Sequence, residues 1–324
     1  MILVTGGAGY IGSHTLHQLV DSGQPCLTLD NLYSGHRWAV PASVPFFEGN
    51  TGDVDLVSEL IKKHKVTAII HFAAHLEVEE STRDPLKYYR NNFLNSMNLI
   101  EVSQKLGVQH FIFSSTCAVY GNPSRNPVSE DFPVAPLSPY GKSKLATEWL
   151  LQDLSNAGGK MRYVSLRYFN VAGARVSGGL GQATPRATQL VKLACEVALG
   201  KREKLLVYGT DYPTADGTCV RDYIHVDDLA GLHVQALRYL EAGGTSEIFN
   251  CGYGKGSSVR DVIDAVKRAS GVDFRVEETA RRAGDTQAIY ADPSKVAKAF
   301  RWKPQYADLD LICRTALEWE RSRP

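Results

Sequence analysis

No apolar run in this 324-residue chain approaches the roughly 18 residues that a membrane span needs, so insertion into a bilayer is not expected. The N-terminus, Met1-Ile-Leu-Val-Thr-Gly, lacks both a basic segment and an apolar stretch leading to a small-residue cleavage site, and no secretory signal is read there. An excess of one charge sign is also missing. Thirty-six Lys and Arg face 35 Asp and Glu, and a formal charge of +1 gives no global field to gather a polyanion, which disfavours a dedicated nucleic-acid binder. The six cysteines (Cys26, Cys117, Cys195, Cys219, Cys251, Cys313) are scattered, with no C-x-x-C pair and no clustered histidines. Neither a disulfide framework nor a metal site is expected from them. They read as small buried hydrophobes in a reducing compartment, with the cytoplasm as the default. No internal repeat or low-complexity tract interrupts the chain.

What is present is ordinary globular material. Apolar residues are 44% and charged residues 22%, which rules out a disordered or fibrous chain, and the length suggests two domains. Through the first half, short apolar runs alternate with longer segments of helical period: ILVTG (2–6), PCLTLD (25–30), VPFFEG (44–49), TAIIHFAA (67–74), HFIFSS (110–115) and RYVSLR (162–167). Most carry few charges, as parallel strands covered on both faces should. Helices are expected over 10–22, 53–64, 85–106 and 139–156, with Pro85 and Pro139 at positions where a helix can begin. Past Arg167 comes a Gly- and Ala-rich loop (171–184), then short helices and isolated strands such as LLVY (205–208) and EIFNC (247–251). The fold class is therefore α/β, a doubly wound parallel sheet over 1–168 with a smaller mixed α/β domain over 169–324. Segments near 223–242, including the amphipathic stretch 225–237, return to the main sheet.

The first strand runs into TGGAGYIG, with Gly6, Gly9 and Gly12, and then into an apolar-periodic helix. Such a turn lets backbone N–H groups approach a pyrophosphate at a helix N-terminus, the arrangement of a Rossmann-type dinucleotide site. Asp30 closes the next strand, where a carboxylate accepts hydrogen bonds from ribose hydroxyls and repels a 2′-phosphate. The cofactor expected is NAD rather than NADP.

A Y-x-x-x-K at Tyr140 and Lys144 carries no weight by spacing alone, but its placement gives it value. Residues four apart share a helix face, so the ammonium is expected to lie near the phenol, stabilise phenolate and lower a pKa that starts at about 10. A phenolate can then take a proton from a sugar hydroxyl. Ser114, Ser115 and Thr116 stand at the carboxyl end of a central strand, where open α/β sheets bind ligands, and Thr116 is placed to bond the hydroxyl being oxidised.

The runs GGAGYIGSH (6–14), DNL (30–32), SSTCAVYG (114–121), SPYGKSK (138–144), LRYFNVAGA (166–174), GTDYPTADGTCVRDYIHVDDLA (209–230) and RRAGD (281–285) closely resemble the UDP-glucose 4-epimerase family of the extended short-chain dehydrogenase/reductases. The resemblance spans nearly the whole chain. It implies a cycle without net redox, in which Tyr140 takes the proton of the 4-hydroxyl as carbon 4 gives hydride to tightly held NAD, and hydride returns to the other face of a 4-keto sugar. It also implies that Lys144 holds the nicotinamide ribose and that Thr116 stands where the family has a catalytic Ser or Thr. Beside the glycines, the cofactor positions implied are Tyr10, Ile11, Asp30, Asn31, Leu32, Asn50, Thr51, Phe72, Ala73, Ala74, Asn91, Ser114, Tyr140, Lys144 and Phe169. For the nucleotide sugar they are Thr116, Tyr140, Asn170, Gln189, Leu190, Leu206, Val207, Tyr208, Arg221, Arg282, Asp285 and Ile289. Two arginines suit a diphosphate, and Tyr208 suits stacking on uracil. The resemblance further implies a homodimer paired through helices near 86–106 and 140–156, the first carrying Phe93, Met97, Leu99, Ile100 and Leu106, some of which must face the protomer's own sheet.

Departures from the family pattern narrow the reading. Asn50 replaces an acid, leaving Asp53 to another role; Leu76 replaces a Lys or aromatic near the nicotinamide; Ile289 replaces a residue, Tyr in some members, whose bulk excludes N-acetylated sugars. UDP-N-acetylhexosamine or a UDP-pentose is therefore an alternative substrate. A 4,6-dehydratase or decarboxylase begins with the same oxidation, but dehydratases typically place Asp-Glu after the active-site Thr, where this chain has Cys117 and Ala118. Net dehydrogenation with exchangeable NAD would accumulate NADH. A non-catalytic NAD sensor would have no use for Thr116, Tyr140 and Lys144 together.

Overall fold

Alternation along the first-half strands sends successive side chains to opposite faces, and both faces are apolar. Ile2, Val4, Ile70, Ile112 and Val164 bury on one side, while Leu3, Leu27, Ile69, Phe111 and Tyr163 bury on the other. The computed structural model describes residues 1–185, 188–282 and 285–323. Its strands are β1 (Ile2–Thr5), β2 (Cys26–Asp30), β3 (Phe46–Glu48), β4 (Ala68–His71), β5 (His110–Ser114), β6 (Arg162–Tyr168), β7 (Asn170–Ala172), β8 (Leu205–Tyr208), β9 (Val220–His225), β10 (Glu247–Cys251), β11 (Gly256–Ser258), β12 (Val276–Thr279) and β13 (Ala288–Ile289). Its α-helices are α1 (Tyr10–Asp21), α2 (Val54–His64), α3 (Val78–Arg83), α4 (Pro85–Tyr88), α5 (Asn95–Lys105), α6 (Pro139–Asn156), α7 (Leu190–Ala198), α8 (Val226–Glu241), α9 (Val259–Ser270), α10 (Ser294–Phe300) and α11 (Leu309–Ser322).

Seven strands form one parallel sheet in the order β10-β6-β5-β4-β1-β2-β3. The order reverses between β1 and β4, which opens a crevice at their carboxyl ends. Helices α1 and α8 cover one face through Leu16, Leu19, Leu229 and Leu232, and α2, α5 and α6 cover the other through Val57, Leu60, Leu99 and Leu151. Beyond β6 a single residue, Phe169, leads into β7. The smaller lobe then holds β7, β9, β11 and β13 in one mixed sheet, a parallel β8–β12 pair, and α7, α9 and α11 around their own core.

Two expectations are corrected. EIFNC is not an isolated strand of the smaller lobe: as β10 it joins the large sheet beside β6, with Glu247 opposite Val164 and Cys251 opposite Tyr168. The preceding helix α8 packs back on that sheet, so it delivers β10 parallel to β6, as a crossover connection should. The single helix expected over 85–106 is broken by a π-turn at Tyr89–Leu94 between α4 and α5.

Candidate active site

The glycine turn is shaped by close approach. Gly6 has φ +74°, and a Cβ there would lie 2.6 Å from the backbone nitrogen of Ala73; a Cβ at Gly12 would lie 2.2 Å from the Gly6 carbonyl oxygen. Gly9 precedes α1 and no side chain caps it, so the first-turn amides of Tyr10, Ile11 and Gly12 face the crevice end of the helix without intrahelical acceptors. That cradle fits a pyrophosphate. Tyr10 brings only its backbone to it, because its hydroxyl donates to the Gly173 carbonyl at 2.5 Å and ties the loop after β7 across α1.

Asp30 is buried at the end of β2. Its Oδ2 accepts from the Ala8 amide at 2.9 Å and its Oδ1 from the Leu32 amide at 2.8 Å. Burial pushes its carboxyl up and these two amides pull it back. Leu32 turns the chain with φ +56°, and Asn31 accepts from the Tyr33 amide at 3.1 Å. Farther along, Asn50 accepts from Gly52 at 2.8 Å and from Asn95 at 2.9 Å, Thr51 is buried, and Asp53 takes the role of N-cap of α2, accepting from Leu56 at 3.0 Å. A carboxylate fixed beside a glycine turn that no side chain could share fits a dinucleotide.

At the switch point, Phe72, Ala73 and Ala74 follow β4 half-buried, and Leu76 is exposed. Asn92, buried in the π-turn, clamps this segment: its Oδ1 accepts from the His75 amide at 2.8 Å and its Nδ2 donates to the His75 carbonyl at 3.0 Å. Asn91 donates to Asn92 at 3.0 Å.

Thr116 caps a 3-10 turn over Cys117–Tyr120, accepting from the Ala118 amide at 3.2 Å. Ser138 caps α6, Pro139 opens it and Gly141 sits so close to that turn that a Cβ would lie 2.9 Å from the Ala118 carbonyl oxygen. This contact brings Tyr140 and Thr116 together. Tyr140 is buried and meets Tyr88 edge-on, with centroids 6.5 Å apart. Burial, with Tyr168 adding to it, pushes the Tyr140 phenol up, while hydrogen bonding to Thr116 pulls against this. The expected lowering is therefore not what the folded chain produces by itself, because taking the phenol out of water favours its neutral form. Lys144 lies one turn on, with its ammonium donating to the Ser114 carbonyl at 2.9 Å and 4.9 Å from the Phe113 ring centroid. Burial lowers Lys144 to about 7 and Glu148 opposes that fall. Ser114 in turn donates to the Tyr168 hydroxyl at 3.1 Å.

The remaining predicted positions lie at the β6–β7 junction and on the smaller lobe. Phe169 is buried between β6 and β7, and Asn170 opens β7 opposite Tyr223. Arg221 of β9 pairs in register with Ile289 and donates to the Val220 carbonyl at 2.9 Å. Arg282 covers the Tyr208 ring at 4.4 Å and donates to Asp285 at 3.0 Å, which unites three of the predicted residues; Ala283 and Gly284 of the same motif lie outside the described residues. On β8, Leu206 and Tyr208 are partly exposed, whereas the Val207 side chain points into the lobe's core. Val207 can meet a ligand only through its backbone, by the two-residue alternation of a strand. Gln189 precedes α7 and accepts from Gln182 at 2.8 Å, and Leu190 opens that helix.

Asn92, Glu148, Arg167 and Tyr120 were not anticipated. Two of them carry a signal in the sequence: Glu148 stands one turn after Lys144, and Arg167 lies inside the apolar run RYVSLR.

Residues 2–252 match the model of the NAD dependent epimerase/dehydratase family. The chain is 50% identical over 321 residues to UDP-glucose 4-epimerase of Azospirillum brasilense, covering 99% of this chain and 92% of that one. Among solved structures it is similar to UDP-glucose 4-epimerase of Brucella ovis in complex with NAD, at 44% identity and TM-score 0.95 over 98% of this chain and 97% of that one. It is likewise similar to the UDP-Glc/GlcNAc 4-epimerase of Campylobacter jejuni, at 50% identity and TM-score 0.87 over 99% of each chain. On these similarities the chain belongs to the NAD dependent epimerase/dehydratase family, in the UDP-glucose 4-epimerase branch of the extended short-chain dehydrogenase/reductases, and is an NAD-using isomerase.

Proposed function

We propose that the protein interconverts UDP-glucose and UDP-galactose through a 4-keto sugar. The observation that carries this is the close packing of the start of α6 on the Thr116 turn, where a Cβ at Gly141 would lie 2.9 Å from the Ala118 carbonyl oxygen, with the Lys144 ammonium donating to the Ser114 carbonyl at the end of β5. NAD, when bound, supplies the hydride acceptor and donor for carbon 4 and, in its oxidised form, a positive charge. Tyr140 takes the 4-hydroxyl proton and returns it after the sugar presents its other face. Thr116 orients that oxygen, and the Lys144 charge favours phenolate. Arg221 and Arg282 hold the diphosphate, with Tyr208 against the uracil. Incubation with UDP-galactose without added nucleotide should yield UDP-glucose by chromatography with no accumulation of absorbance at ~340 nm. Accumulating NADH would mark a net dehydrogenase instead, and no turnover of any UDP-sugar would leave a sensor. A dehydratase is not supported: Cys117, pushed up to about 12 by burial, and Ala118 supply neither acid nor base.

A second substrate class is favoured by Ile289. Its side chain is buried with Val119, Leu145 and Phe169, and the resemblance puts it where a tyrosine ring in some members excludes N-acetylated sugars. The similarity to the Campylobacter UDP-Glc/GlcNAc enzyme agrees with this. UDP-N-acetylglucosamine should therefore turn over, and Ile289→Tyr should lower kcat/KM for it relative to UDP-galactose by about tenfold or more. An unchanged ratio would remove Ile289 from the account of specificity; UDP-xylose tests the pentose alternative.

The reading includes a cytoplasmic homodimer. Leu99 and Ile100 are spent on the protomer's own core, as the paired-helix expectation allowed, whereas Trp149 of α6 and Leu94 of the adjoining π-turn are 54% and 43% exposed. Trp149→Glu should shift the mass by light scattering from two chains to one at micromolar concentration. A native protein that is already monomeric would count against the dimer.

A further inference from the structure

A charged residue in a strand covered on both faces needs a partner, and Arg167 of β6 has one in Glu148 of α6. Their side chains are 4% and 1% exposed. The Arg167 Nε donates to both carboxylate oxygens at 3.0 and 3.1 Å, and a terminal nitrogen donates to Oε2 at 2.6 Å, a forked geometry. Ser115 also donates to Glu148. The other guanidinium nitrogen donates to the Tyr120 hydroxyl at 2.9 Å, which donates to Asn250 of β10 at 2.7 Å. Glu148 is thus held by two residues, Arg167 of β6 and Ser115 just beyond β5, and Arg167 is held in turn through Tyr120. It stands one helical turn beyond Lys144 on the same face, and its partner Ser115 lies between Ser114, whose carbonyl receives the Lys144 ammonium, and Thr116.

We propose that Glu148 is a positioning residue of the reaction, the fixed counter-charge that keeps Lys144 protonated and aimed at Ser114, with Arg167 and Ser115 holding it in place. The proposal rests on the catalytic reading of Tyr140 and Lys144. The groups facing Lys144 leave that task to Glu148. From β5 come the Phe113 ring and the Ser114 carbonyl; from β6, Tyr168 reaches it only through Ser114, and the Arg167 guanidinium, a like charge, is bonded to Glu148; from α6, Tyr140 is a neutral phenol. His71 of β4 is pushed down to about 3 by burial and by Lys144 itself, so it is uncharged. Burial alone drives the ammonium toward deprotonation and Glu148 opposes it. The ammonium is present below its pKa and lost as pH rises through it, so removal of Glu148 moves that loss to lower pH.

The test follows the Lys144 ε-carbon signal by NMR across pH, in holoenzyme labelled with 13C at lysine ε-carbons and assigned with Lys144→Met. The double variant Glu148→Gln with Arg167→Met should lower the midpoint by about one pH unit and Glu148→Gln alone, which leaves the Arg167 charge uncompensated, by more, and the alkaline limb of turnover should move with it. A pair that served only the core would cost stability and leave the titration in place. An unmoved midpoint in the double variant, which removes both charges of the Glu148–Arg167 pair, overturns the proposal whether or not the single variant folds. Because the midpoint is read without turnover, its failure is distinct from failure of the catalytic reading, which native activity tests.

Discussion

Tyr140→Phe should lower turnover of UDP-galactose by about two to four powers of ten while KM and bound NAD stay near native values. The Tyr140 phenol lies near Thr116, and Phe fills the same buried volume next to Tyr88. Because a buried hydroxyl is removed and no cavity is made, folding stability should hardly change. Steady-state kinetics with the absorbance of purified protein check both halves. Turnover within tenfold of native would mean that another group takes the proton, and Thr116 would be the residue to examine next.

Gly6→Ala should have the second large effect, with a sign opposite to the usual gain from replacing glycine in a tolerant position. The position needs φ +74°, and the added methyl would meet the Ala73 backbone nitrogen at 2.6 Å and its Cα at 2.9 Å. Backbone on both sides cannot step aside as a flexible side chain would. Left-handed strain and overpacking together should cost about 2–4 kcal/mol, read from the denaturation midpoint in urea. The displaced turn should also lose the amides that face the pyrophosphate, so the protein should purify without NAD. Native NAD content with a native midpoint would show that the turn can relax and that the cradle is less constrained than its geometry implies.

Local sequence decided the elements that carry the chemistry. The Gly12 position, against the Gly6 carbonyl, and the Ser138-Pro139 start of α6 are set by neighbours in the chain, through backbone sterics and helix capping, whereas Gly6 is also required by the distant Ala73 backbone. Two-residue alternation likewise marks which side of the sheet Leu3 and Val4 face. Tertiary structure decided what depends on residues far apart. EIFNC reads equally well as an isolated strand, and only the return of α8 beneath the sheet makes it β10. The π-turn at Tyr89–Leu94, with Asn92 fastening His75, has no local signature in a run that otherwise reads as one helix. The proton affinities were least legible of all. Tyr140 and Lys144 share a helix face as their spacing requires, yet burial pushes the phenol up and the ammonium down to about 7, because desolvation is set by the whole fold rather than by a four-residue interval.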